Sequence, residues 1–243
     1  MTAGPLPPEV GQATTVLVTV RDAQLEGALS EIETAPLARG TVVLHASGSA
    51  EPNLGALRAA GHPSGTFHPL VPLADPDRAP ELLRGAWIGI DGDEPACGAA
   101  RELARHLGAH TLEIPPGEKN RYHAAAVIAS NFPAVLLSLG EDLLAAAGLP
   151  REPSRAALRS LFANAARNLD STATPAEALT GPIVRGDIET VRRHVEALAP
   201  HPRAMAAYRA LSIAALGLAK EAGVSQDVLD RIGTILAGEE ATV

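Results

Sequence analysis

Aromatic side chains make up only 2% of this 243-residue chain. Any core must therefore be built from Ala, Leu, Val and Ile, which the 46% hydrophobic content supplies. Cysteine occurs once, at Cys97, which excludes an intramolecular disulfide and leaves a cysteine-built metal site without support. Lysine is nearly absent and stands only at Lys119 and Lys220, whereas arginine is plentiful. The net charge is -8 and no basic stripe interrupts it, which argues against nucleic acid and anionic membrane surfaces as partners. No apolar run reaches the roughly 18 residues of a membrane span. The proline-rich start, Met1 to Val10, lacks the charged-then-apolar order of a signal peptide. A cytoplasmic location with no membrane partner is the expectation.

Strand and helix patterns alternate in the first half. Thr15–Val20 is a short apolar run rich in β-branched residues, which suits a strand buried on both faces of a parallel sheet. A helix follows from Asp22, with Leu25, Ala28, Leu29 and Ile32 at helical spacing, and Gly40 ends that segment. Thr41–His45 is the next strand, closed by the turn Ala46-Ser47-Gly48-Ser49. Further strands are predicted at 65–68, 86–90 and 110–114, with a helix at 94–107 between the last two. Such alternation predicts βαβ units and a parallel sheet. After Pro115-Pro116-Gly117 the strand pattern ends. Helices are predicted at 119–147, 154–168, 187–198, 203–222 and 226–238, with Pro133 kinking or breaking the first and Asp187 capping or opening the one at 187–198. The expected division is an α/β domain at 1–117 and an all-helical domain at 118–243.

Ligands of open parallel sheets bind at the carboxyl ends of the strands. His45-Ala-Ser47-Gly48 and His68-Pro69 fall there, and Lys119 opens the first helix of the second half. Lys119 and His123 are four residues apart and share a helix face; Ser130 continues it and Asn131 lies on its flank. A lysine and a histidine so placed can polarise a carbonyl and exchange a proton with it. Reduction of C=O or C=N asks this of the protein, because the hydride belongs to the cofactor. His45, His68, Lys119 and His123 are therefore expected to converge on one cleft. Each has a plainer alternative: the histidines as satisfied structural residues, Ser47 as a turn former, Lys119 as a solvated helix-start residue. His45, His68 and His123 lack ligand spacing, and no metal is expected. In Leu179–Asp187 two glycines, Thr180 and Arg185 precede a helix start, which reads either as an anion-binding turn or as an ordinary connection.

Taken in order, His45-x-Ser-Gly48, His68-Pro-Leu70, Lys119-x-x-Tyr-His-Ala-Ala-Ala126, Ser130-Asn131 and Leu179-Thr-Gly-Pro-Ile-x-Arg-Gly-Asp187 followed by His194 resemble one family. These are the Rossmann-like proteins whose C-terminal half is the domain of unknown function 2520, related to pyrroline-5-carboxylate reductase, ketopantoate reductase and the 6-phosphogluconate dehydrogenase-like group. The resemblance runs from about Thr15 to the C-terminus. It implies a Rossmann-type NAD(P)-binding domain followed by a helical domain of 6-phosphogluconate dehydrogenase type, commonly a homodimer through the helices. By that resemblance Lys119 is the catalytic lysine; beside it His123 and His68 are expected to be catalytic, His45, Ser47 and Gly48 to meet NADP or NAD, and Ser130, Asn131, Thr180 and Arg185 to meet the substrate. Relatives commonly carry Asn where this chain has His123.

The relatives open with a strand and Gly-x-Gly-x-x-Gly, whose amides cradle the pyrophosphate. Nothing here matches that motif: Gly4 and Gly11 are too far apart. Thr15–Val20 resembles the fourth strand of the Rossmann unit, so the first strands and the glycine loop are expected to be missing, with weak or absent cofactor binding. The implied function is an NAD(P)-dependent oxidoreductase acting on a small carbonyl, imine or hydroxy acid. The alternative is a non-catalytic dimeric protein that holds a small metabolite.

Overall fold

The structure, a computed structural model, describes residues 6–72 and 75–238. Its contacts divide the chain into two compact units, Met1–Phe132 and Pro133–Val243. The first holds a sheet of β1 (Thr15–Val18), β2 (Val42–His45), β3 (Ser64–Pro69), β4 (Trp87–Gly92) and β5 (His110–Glu113), arranged spatially in sequence order. The strands fall where the apolar, β-branched runs predict them. The sheet is mostly parallel, with α1 (Asp22–Glu33), α2 (Gly55–Ala59) and α4 (Glu94–His106) as its crossovers.

One pairing departs from the parallel expectation: β4 runs antiparallel to β3. Among the described residues their connection holds a 3-10 turn and the short α3 (Ala79–Leu83), and Leu70 N–H donates to Trp87 C=O at 2.8 Å. The chain thus re-enters the sheet at the end it left, which an antiparallel neighbour allows and a parallel one forbids.

Side chains alternate across the sheet. On one face Val42, Leu44, Phe67, Ile88 and Ile90 pack on Ala96, Cys97, Ala100 and Ala104 of α4, whose small residues let helix and sheet approach closely. On the other, Val18 and Val43 are covered by Leu25, Leu29 and Ile32 of α1 and by Leu54 and Leu57. Farther along this second face the apolar pattern stops. Residue alternation and register put His45, Thr66, His68, Gly89 and Asp91 there, as the row His45–Thr66–Asp91 and the pair His68–Gly89. Over these lies α5 (Lys119–Ser130), which belongs to the first unit.

The second unit opens with α6 (Phe132–Ala146) and continues through α7 (Arg151–Ser171), α8 (Pro175–Ala178), α9 (Ile188–Leu198), α10 (Pro202–Glu221) and α11 (Gln226–Ala237). Among the described residues no strand follows Glu113. Helical geometry breaks at Asn131, two residues before Pro133. Val191, Ile232, Ile235 and Leu236 form the core of this unit, and Arg155 clasps Glu141 through two 2.9 Å hydrogen bonds. The Asp187 carboxylate caps α9, accepting from Thr190 N–H at 3.0 Å and from the Thr190 hydroxyl at 2.7 Å. Although no unbroken apolar run spans a membrane in the sequence, the helical run Lys119–Ala146 has 28 residues and a mean hydropathy of 1.4 in its most apolar window. By length and composition it could cross one, and none of that window is buried within the chain.

Candidate functional site

The turn Pro115-Pro116-Gly117 ends the sheet and launches α5, with Gly117 at φ +78°, a conformation that favours glycine. Lys119 is the first residue of α5 and only 4% exposed. A cation at a helix N-terminus is unfavourable, so its burial here needs strong partners. Nζ donates to Thr66 Oγ1 at 2.6 Å and lies 3.4 Å from His45 Nε2 and 3.6 Å from Asp91 Oδ2. The Thr66 hydroxyl in turn donates to Asp91 Oδ1 at 2.7 Å. Burial lowers the Lys119 pKa, and the Asp91 carboxylate opposes that shift. His45, 1% exposed, is pushed down to about 4 by burial and then by the Lys119 charge, so it is neutral at neutral pH. With an ammonium facing Nε2, that nitrogen serves as acceptor and the proton resides on Nδ1. His45 Nδ1 has no hydrogen-bond partner among the described residues.

A second group lies beside the first. His68 Nδ1 and the Tyr122 hydroxyl are 2.8 Å apart. Burial raises the Tyr122 pKa to about 12, so the phenol keeps its proton at neutral pH. Burial first, then the neighbouring His123 and Lys119, lowers the His68 pKa. Tyr122 fits because residue 89 is glycine: a Cβ there would lie 2.1 Å from its hydroxyl oxygen. Gly48 serves likewise, since a Cβ there would lie 2.5 Å from His68 Nε2 and 2.8 Å from His123 Cδ2. The His68 and His123 rings meet edge-on with centroids 5.9 Å apart. Ser47 Oγ accepts from Ala50 N–H at 2.9 Å and, with Ser49, holds the Asp22 carboxyl below its usual range.

The four residues expected in one cleft are close together but border two cavities. His45 and Lys119 line one of 570 Å³, with Asp91, Arg58, Arg101 and Glu113 on its walls. His68 and His123 line another of 770 Å³, whose wall runs past Leu112 and Val127 to Ser130 and Asn131. The cause is α5 itself: Lys119 at its start turns toward the Thr66–Asp91 row, while Tyr122 and His123, a turn later, meet His68. Thr180 and Arg185 lie in the second unit, both exposed, in the segment before α9. There the helix amide end is already filled by the Asp187 carboxylate. Sequence reasoning assigns no role to three residues of the site: Thr66 and Asp91, which no motif includes, and Tyr122, which stands in the Lys119-x-x-Tyr-His motif. Tyr122 carries a usable signal, three residues after Lys119 on a shared helix face.

A dinucleotide needs backbone amides at a helix start to cradle its pyrophosphate. Among the described residues, the segment joining β1 to α1 has no glycine, and α1 begins with an aspartate, Asp22. At the start of α4 the Asp93 carboxylate accepts Ala96 N–H. Neither of these two junctions offers a pyrophosphate cradle. What the turn His45–Gly48 offers is the unpartnered His45 Nδ1, the space over Gly48 being taken by the His68 and His123 rings.

The fold is that of the Rossmann-like reductases with a helical C-terminal domain. A Thermotoga maritima protein is 25% identical with a TM-score of 0.68, over 84% of this chain and 78% of that one. A candidate NADP oxidoreductase from Bacteroides fragilis is 21% identical with a TM-score of 0.64, over 82% and 74%. A pyrroline-5-carboxylate reductase from Coxiella burnetii is 15% identical with a TM-score of 0.53, over 89% and 78%. No curated protein matches the chain. Residues 86–215 match the family described as a domain of unknown function, DUF2520, and the chain belongs to that family.

Proposed function

We propose that this protein is an oxidoreductase that interconverts a small carbonyl or imine and its reduced form with NADP or NAD, Lys119 exchanging the proton. One observation carries the reading: a lysine ammonium is buried against Thr66, Asp91 and His45 on a sheet face whose other end is apolar. Burying a charge is expensive, and a site that only needed packing would be served better by Leu. The cavity beside Nζ is large enough for a small metabolite. Names of solved relatives that act as NADP oxidoreductases and pyrroline-5-carboxylate reductases agree with this chemistry. Supplied by the chain's own residues are polarisation and a proton, from Lys119 into one cavity, with His68, Tyr122 and His123 bordering the other. We read affinity for the dinucleotide as weak, since neither the β1–α1 nor the β4–α4 junction offers a pyrophosphate cradle. The uncovered apolar helix α6 supports a homodimer through the helices, in the cytoplasm.

Two measurements test this. Titration of NADH and NADPH fluorescence should show binding no tighter than about millimolar, because several charge-assisted hydrogen bonds of about 1.5–3 kcal/mol each are lacking. Micromolar binding would overturn the weak-affinity reading. With cofactor in large excess, a panel of imines, ketones and hydroxy acids should reveal turnover that Lys119→Met lowers by about 10²–10⁴. No turnover across the panel, or full turnover in Lys119→Met, would sink the assignment.

A further inference from the structure

We infer that Asp91 and Thr66 are the positioning residues of this site, holding the Lys119 ammonium in place at the wall of the 570 Å³ cavity. This rests on the reading of Lys119 as the proton-exchanging group, but its test does not depend on turnover.

The argument begins with the strand register. His45, Thr66 and Asp91 are direct neighbours across β2, β3 and β4. Their polar atoms meet Nζ from three strands, so the sheet, rather than the first turn of α5, fixes where the ammonium sits. Thr66 is fully buried and has one hydrogen to give. That hydrogen goes to Asp91 Oδ1 at 2.7 Å, so a lone pair of Oγ1 is turned toward Nζ at 2.6 Å. Remove the Asp91 acceptor and the hydroxyl is free to rotate its hydrogen toward the ammonium. Asp91 thus acts on Lys119 twice: as a counter-charge 3.6 Å away, and by orienting Thr66.

The other charges around Lys119 leave this role to Asp91. Glu51 and Asp22 favour the ammonium but rank below Asp91, and His45 is neutral beside it. His68 stands farther off, paired with Tyr122. The two arginines lining the cavity are engaged elsewhere: Arg58 with Asp93 at 3.3 Å, Arg101 with Glu94 at 3.0 Å and Glu113 at 2.7 Å.

The composition makes a direct test practical. Lysine occurs only at 119 and 220, so protein grown with ¹³C,¹⁵N-lysine gives only two side-chain Cε–Nζ signals, and exposed Lys220 is the internal reference. Asp91→Asn should move the Lys119 titration midpoint down by about one unit or more, a roughly tenfold change in the ammonium-to-amine ratio at fixed pH. Thr66→Val should move it the same way, Thr66→Ser should restore it, and Lys220 should stay put. The acidic or basic limb of any pH–rate profile should move with the Lys119 midpoint. Should Asp91→Asn fail to fold, as judged by circular dichroism, the Thr66→Val and Thr66→Ser pair carries the test alone. Unchanged Lys119 titration in the folded variants would overturn the inference and leave the proposed activity standing. Loss of the activity assignment with a shifted titration would do the reverse.

Discussion

His45 sits on the last residue of β2, shielded from water and next to a cation, and these surroundings keep its ring neutral. In the unfolded chain it would take up a proton near the ordinary value of about 6.5, and in the folded chain only near about 4. Between those values the unfolded state binds more protons, so stability is full above the window and declines as pH falls through it. The cost amounts to about 3 kcal/mol once pH is below both values. His68, also lowered, adds in the same sense. Urea unfolding at pH 7 and pH 4.5 should show the loss, and His45→Gln should flatten the slope; an unchanged slope would mean His45 is not held neutral. Lys119 was legible in the sequence because lysine is rare there and a cation at a helix start is out of place. Thr66 and Asp91 were not. A threonine inside a strand reads as a β-former and an aspartate near a strand end reads as a turn residue. What makes them a pair is the register between segments 25 positions apart, which no local pattern encodes.

The same limit applies among the elements. Each of the five strands lies within a residue or two of its apolar, β-branched run, although only β2 is buried at every position. The direction of β4 was not written, since Trp87–Gly92 reads alike in either orientation. The helices α2, α3 and α8, of four or five residues, are too short to show a helical period. Where β4 passes into α4, Asp93 joins several elements. Its carboxylate accepts from Ala96 N–H at 3.1 Å, capping α4, and from Ser64 N–H at 2.9 Å at the start of β3. It also pairs with Arg58 of α2 at 3.3 Å. Asp93→Ala should therefore cost about 1–3 kcal/mol, more than a cap alone, because the Ser64 amide is left without its acceptor. Asp93→Asn, which has one acceptor oxygen where Ala96 N–H and Ser64 N–H each use their own, should recover only part of it. Equal denaturation midpoints for Asp93→Ala and the parent would refute this account.

At the scale of the whole molecule, α6 exposes apolar surface, as α7 and α10 do. It is apolar, none of its residues is buried, and Phe132 and Val135 are about half exposed. A helix apolar on most sides is stable in water only when something covers it. If a second copy does so, sedimentation at micromolar concentration should give a dimer, and Val135→Arg should shift it toward monomer. A clean monomer for the parent chain would reject the dimer. Within the first unit, β3 binds chemistry and packing into one inheritance. Its odd-and-even arrangement sends Phe67 into the hydrocarbon interior and Thr66 and His68 to the polar face. A codon gained or lost inside Ser64–Pro69 would exchange the two sets, lodging a threonine and a histidine in oil and a phenyl ring against an ammonium. Descendants of this gene can vary the side chains of that strand one at a time, but they cannot change its length and keep either the fold or the site.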